Sequence, residues 1–142
     1  MRRYAWAVLG LGLAAVGARD AAGQQPNPPP AVDLRQNYPN PFNPATTIPF
    51  VLDGALFANG HRPKVSLRIY NVLAQLVAVP ILQGSGEKLD QVELQCGSTT
   101  CAFTAYWDGK VLNSDREAAS GVYLYQLVVD GTRFTRKMIV MK

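Results

Sequence analysis

From Thr46 to the C-terminus the apolar residues recur at every second position, and clusters of Gly, Asn, Asp and Pro interrupt them. Period two marks strands with one buried face, because successive side chains point to opposite sides of a sheet. The pattern predicts strands over Thr46 to Leu52, Lys64 to Tyr70, Leu76 to Leu82, Leu89 to Gln95, Ala102 to Trp107, Val122 to Val129 and Thr132 to Met141. In the second of these, Val65, Leu67 and Ile69 face one way while Ser66, Arg68 and Tyr70 face the other. Only Asp130 and Gly131 separate the last two, and both suit the positive φ of a two-residue hairpin turn, so this pair is expected to be antiparallel. Pro49 has no N–H to give a ladder, which places the first strand at an edge or gives it a bulge. About seven strands with almost no helical periodicity predict an all-β fold, two antiparallel sheets packed as an immunoglobulin-like β-sandwich.

Ahead of the first strand, Leu34 to Phe50 reads LRQNYPNPFNPATTIPF. Each proline fixes its own φ and keeps the preceding residue out of the helical region, so Tyr38, Asn40 and Asn43 are expected in extended or turn conformations. Asparagine side chains that bond their own backbone favour compact turns, and Tyr38 and Phe42 are spaced to anchor those turns against a sheet. The stretch therefore reads as an ordered lead-in. Gln24 to Val32, by contrast, reads QQPNPPPAV, the composition of an extended spacer.

The first residues combine Arg2 and Arg3, an apolar run from Tyr4 to Ala18, and small residues suited to cleavage after Ala18 or Gly23. This is the layout of a secretory signal. If retained, the same segment acts as a membrane anchor, with Tyr4 and Trp6 placed for the interface. The expected organisation is residues 1–23 as signal or anchor helix, 24–33 as proline-rich linker and 34–142 as the sandwich. The expected location is the periplasm or the outer face of a membrane, or the cell surface.

Composition adds little pull toward a charged ligand. The chain carries 14 Lys and Arg against 10 Asp and Glu, and without the leader 11 basic groups face 9 acidic ones. That balance gives no reason to expect a nucleic-acid partner. Cys96 and Cys101 flank a short polar run, CGSTTC, and an exported chain meets an oxidising compartment, so a structural disulfide stapling a hairpin end is expected. His61 has no carboxylate near it in sequence and forms no triad or metal cluster. Asp108, Asn113 and Asp115 lack the ordered spacing of a calcium loop, and Gly84 and Gly86 lack the surroundings of a phosphate cradle. No catalytic residue, metal site or cofactor is expected.

Asn37, Tyr38, Pro39, Asn40, Pro41, Phe42, Asn43 and Pro44, followed by Ile48 and Phe50, resemble the opening of the type IX secretion C-terminal sorting domain, which is closely related to the immunoglobulin-like module of flagellar hook-capping proteins. Further matches follow in order: Val65, Leu67, Ile69, Tyr70 and Asn71 with Val77; the turn of Trp107, Asp108 and Gly109; the strand of Ser120, Gly121, Val122, Tyr123 and Tyr125; and Lys137, Met138 and the terminal Lys142. The resemblance implies the sandwich fold, and it implies that Lys137 and Lys142 belong to a strand read in sorting or in an interaction. This chain departs from the pattern at Ala74, where glycine is usual, and in the added Cys96 to Cys101 loop. A sorting domain ordinarily follows a large cargo, and the spacer here leaves no room for one, so the module itself is expected to carry the function.

Three functions fit these readings. One is an exported non-enzymatic module that binds other proteins through a sheet surface or edge. The second is an accessory structural subunit bracing a large membrane or envelope complex, of the respiratory or photosynthetic kind for example, held by the retained N-terminal helix. The third is a type IX substrate or remnant engaged by secretion machinery. Tyr123 and Tyr125 are expected to pack against the proline-rich lead-in, and membrane contact is expected only if the N-terminal segment is retained.

Overall fold

A computed structural model of the chain describes residues 31–97 and 100–142, so the leader and most of the spacer lie outside the described residues. The strands in chain order are β1 (Val32–Leu34), β2 (Thr46–Asp53), β3 (Lys64–Tyr70), β4 (Leu76–Ala78), β5 (Ile81–Leu82), β6 (Val92–Glu93), β7 (Thr100–Trp107), β8 (Gly121–Val129) and β9 (Thr132–Val140). They form two antiparallel sheets, one in the order β1-β2-β7-β5 and the other in the order β4-β3-β8-β9, with β6 also paired to β3. The fold is all-β.

Alternation decides which faces meet. Along β8, Tyr123, Tyr125, Leu127 and Val129 are buried while Leu124, Gln126 and Val128 between them are half-buried. Ile48, Phe50 and Leu52 of β2 and Ala105 of β7 project from the other sheet into the same core as Val65, Leu67 and Ile69 of β3. Full burial of each large side chain contributes about 1.5–3 kcal/mol, so this shared layer holds the sheets together. The β8–β9 hairpin forms as expected, with Val129 opposite Thr132 and positive φ at Asp130 and Gly131.

Several expectations are corrected. Val32 and Asp33, assigned by composition to the linker, stand in β1 opposite Leu52 and Val51. The strand predicted from Leu76 to Leu82 is two pieces, β4 in one sheet and β5 in the other. The break falls at Val79 and Pro80, where proline has no N–H for a ladder. From Leu89 to Gln95 only Val92 and Glu93 make a strand, because Gln91 adopts a left-handed φ of 53° and interrupts the extended run. A 3₁₀ segment over Gly54–Gly60, with no counterpart in the periodicity, is capped by the Asp53 carboxylate.

Candidate functional site

Pro49 sits inside a strand paired on both sides, with β1 and the lead-in on one flank and β7 on the other. The strand is therefore not an edge, and the irregularity falls on its neighbour. Leu34 pairs with Phe50 and Tyr38 with Thr47, so the lead-in gains one residue over β2 between these points. Arg35 N–H donates to the Pro49 carbonyl at 3.0 Å, but Pro49 cannot return the bond. The Tyr125 hydroxyl fills the gap: it donates to the Arg35 carbonyl at 2.8 Å and accepts from the Asn37 N–H at 3.1 Å. One oxygen thus satisfies both the carbonyl orphaned by proline and the amide displaced by the register shift. Burial of Tyr125 pushes its hydroxyl pKa above the ordinary 10.0, against the Asn37 N–H and the charge of Arg136, which favour the anion.

The rest of the lead-in is fastened in the same way. The buried Asn37 amide donates to Thr46 Oγ1 at 2.9 Å and to the Pro39 carbonyl at 3.2 Å. Asn40 Oδ1 accepts from Ile139 N–H, and Phe42 pairs in parallel with Val140 through bonds to Ile139 and Met141. Phe42 is buried edge-on to Trp107, and Trp107 is edge-on to Tyr123. Trp107 Nε1–H donates to the Lys110 carbonyl while Asp108 takes the Lys110 N–H, closing the turn. Gly109 is required there: its φ is +86°, and a Cβ would lie 1.9 Å from the Pro44 carbonyl oxygen. The peptide bonds before Pro39, Pro41 and Pro44 are cis. Asn37 to Pro44, Trp107 to Gly109 and Tyr123 thus assemble at one end of the molecule, whereas Val65, opposite Val129, lies toward the other.

Tyr38 and the disulfide depart from expectation. Tyr38 is 58% exposed and does not anchor the lead-in; Phe42 and Asn37 do. Gly121 faces open space, and its φ of +151° calls for glycine. Cys96 and Cys101 form the disulfide, but it does not staple a hairpin. Cys96 follows β6 and Cys101 stands in β7, strands of different sheets, so the bond fastens the crossing between them. Ala74 takes the left-handed conformation itself, with φ 63°, in a turn organised by the Asn71 carboxamide.

The two ends of the sandwich differ in character. One gathers the Gly54–Gly60 segment, the disulfide crossing and the Asp130–Gly131 turn, and there His61 Nε2 lies 2.8 Å from Asp130 Oδ2. Sequence reading left His61 without a carboxylate because this partner is 69 residues away. The Lys64 N–H and then His61 hold the Asp130 carboxyl below its ordinary 3.8. At the opposite end stand Tyr38, Val72, Leu73, Leu76, Val122, Ile139 and Met141, which are all the large apolar side chains exposed among the described residues. Val72 and Leu73 are 71% and 74% exposed at the tip of the β3–β4 turn. The missed signal was two apolar residues in a turn, NVLAQ, outside the period-two pattern.

Lys137 is exposed on β9, whereas Lys142 is tied to Glu117 at 3.5 Å and, through its N–H, to Ser120. Ile139 gives both its N–H and its carbonyl to the lead-in, and the Lys137 carbonyl accepts from Gln36 Nε2. The outer edge of β9 is therefore covered from Lys137 onward. A concavity of about 320 Å³ lies beside Pro80, Tyr106, Trp107 and Lys110. Among the described residues no group of three or more metal-ligating side chains exists, and no helix is long and apolar enough to cross a membrane.

No protein-family model and no curated protein sequence matches the chain. Among solved structures, the Pseudomonas fluorescens alkylpurine DNA glycosylase AlkC, bound to DNA containing an abasic site analog, is similar at TM-score 0.43 and 12% identity over 79% of this chain. The chain spans 31% of that protein's length. Likeness at that level carries no functional argument.

Proposed function

We propose that this chain is an exported, non-enzymatic immunoglobulin-like module that works by docking its apolar end onto another protein. One observation carries the reading: every large apolar side chain exposed among the described residues lies at the same end. Scattered surface apolar residues need no explanation, but their gathering in one place marks an interaction surface. The disulfide is compatible with an oxidising compartment.

The accessory-subunit reading draws on a second observation. Ala31 and Val32 lie against Asp53 and Leu52, so the chain joins the sandwich at the polar end. A module tethered there presents its apolar end about 25 Å away, the span of an eight-residue strand. That suits bracing a neighbouring subunit. The sorting-domain resemblance remains a third proposal, and of its two lysines Lys142 is paired with Glu117 while Lys137 has no ion-pair partner among the described residues.

Extraction of the native protein in mild detergent tests the docking reading. The expected result is migration with a larger species, lost on Val122→Asp with Ile139→Asp. Migration of the unaltered protein only as a free 15.5 kDa chain would contradict it.

A further inference from the structure

The outer face of β3, β8 and β9 makes the docking surface chemically specific. Register sets Tyr70 beside Leu124, Leu124 beside Lys137, and Val122 beside Ile139, all on the side away from the core. Two steps further from the apolar end, past Gln126 and Thr135, Arg133 stands opposite Val128 on the same face. An apolar block therefore has one cation at its border and a second about 14 Å further along the same face. Of the other cations of this sheet, Arg68 pairs with Asp90 at 2.9 Å, Lys64 stands opposite Glu93, and Arg136 donates to the Leu34 carbonyl and to Gln36 Oε1 in the lead-in. No carboxylate lies within ion-pair distance of Arg133 or Lys137 among the described residues.

We propose that this face receives an amphipathic segment of a partner protein, with apolar side chains over Tyr70, Val122, Leu124 and Ile139 and carboxylates against Lys137 and Arg133. The proposal rests on the docking reading above and names the partner's chemistry. Charge complementarity selects the occupant. A second copy packed on this face by a two-fold axis brings its own Arg133 and Lys137 into the same interface, which disfavours self-association. A lipid surface is the less favoured occupant, since the chain joins the sandwich at the end away from this apolar block. The cations give register and selectivity, while the apolar block supplies the buried area.

The test is selection of a random peptide library displayed on phage against the immobilised full chain and against its Arg133→Glu, Lys137→Glu variant. The expected peptides combine apolar residues with Asp or Glu, shift the amide resonances of Val122, Leu124 and Ile139, and bind the variant at least about tenfold more weakly, the scale of close interfacial charge pairs. The variant is expected to select basic peptides instead. Peptides without an acidic bias, or equal affinity for both proteins, would overturn the inference; if these peptides still occupy the same face, the docking reading survives it. Enrichment of no peptide would overturn it as well. So would concentration-dependent dimerisation of the full chain that Val122→Asp abolishes, or binding to phosphatidylglycerol vesicles lost in that variant. Native co-migration insensitive to Val122→Asp would remove the docking reading itself.

Discussion

Replacing Tyr125 by Phe keeps a fully buried ring in place and deletes one oxygen. That oxygen makes two bonds, at 2.8 Å to the Arg35 carbonyl and 3.1 Å from the Asn37 N–H. A net hydrogen bond is worth about 1 kcal/mol, and a buried amide left without a partner costs about 1–3 kcal/mol, so the substitution should cost about 3 kcal/mol. At about 4–8 °C per kcal/mol for a domain somewhat smaller than this one, the melting temperature should fall by roughly 10–20 °C. Pro49→Val supplies the missing N–H opposite Arg35. In that background the loss should shrink by about 1 kcal/mol, a coupling that a double-mutant cycle resolves. Urea denaturation followed by circular dichroism measures all four proteins. A loss below about 1 kcal/mol, or an equal loss in both backgrounds, would refute the assignment of this hydroxyl to the proline gap.

Gly109→Ala should destabilise by about 3 kcal/mol or more, combining left-handed strain with a collision at the Pro44 carbonyl, and thermal melting reads it directly. Ala74→Gly should stabilise by about 0.5–1 kcal/mol, since the left-handed strain relieved exceeds the added freedom of the unfolded chain; a drop in melting temperature would count against it. The lowered pKa of Asp130 means its contribution is complete above the ordinary 3.8 and disappears as pH falls through the folded value. Acid titration of Asp130→Asn should therefore show a shallower stability loss than the unaltered chain in that range, and parallel curves would dismiss the effect.

Period-two alternation located the long strands because a buried face constrains every second residue; β8 obeys it from Tyr123 to Val129, while β3 breaks it at the buried Ser66 and β9 at the exposed Arg136. The short strands escaped for a physical reason. β1 has only three residues behind a proline-rich stretch, and the pieces at Leu76–Ala78 and Ile81–Leu82 form one apolar run that changes sheets at Pro80. Pro49 foretold an irregular ladder, yet no local pattern says that a tyrosine on β8 repairs it. Contacts across the sandwich, such as His61 with Asp130 or Gly109 with Pro44, join residues far apart in the chain. The apolar end was partly legible, since Val72 and Leu73 break the turn composition around them. Its extent was not, because Val122 and Ile139 read as ordinary strand residues until register places them together.

Photo-crosslinking in the native cell tests docking through the apolar end most directly. A benzophenone residue replaces Val122 or Ile139 at that end, and Asn59 or Arg62 at the other. Adducts to one discrete partner from Val122 and Ile139, with none from Asn59 and Arg62, are the expected result. Adducts confined to Asn59 and Arg62, or absent from all four positions, would contradict it.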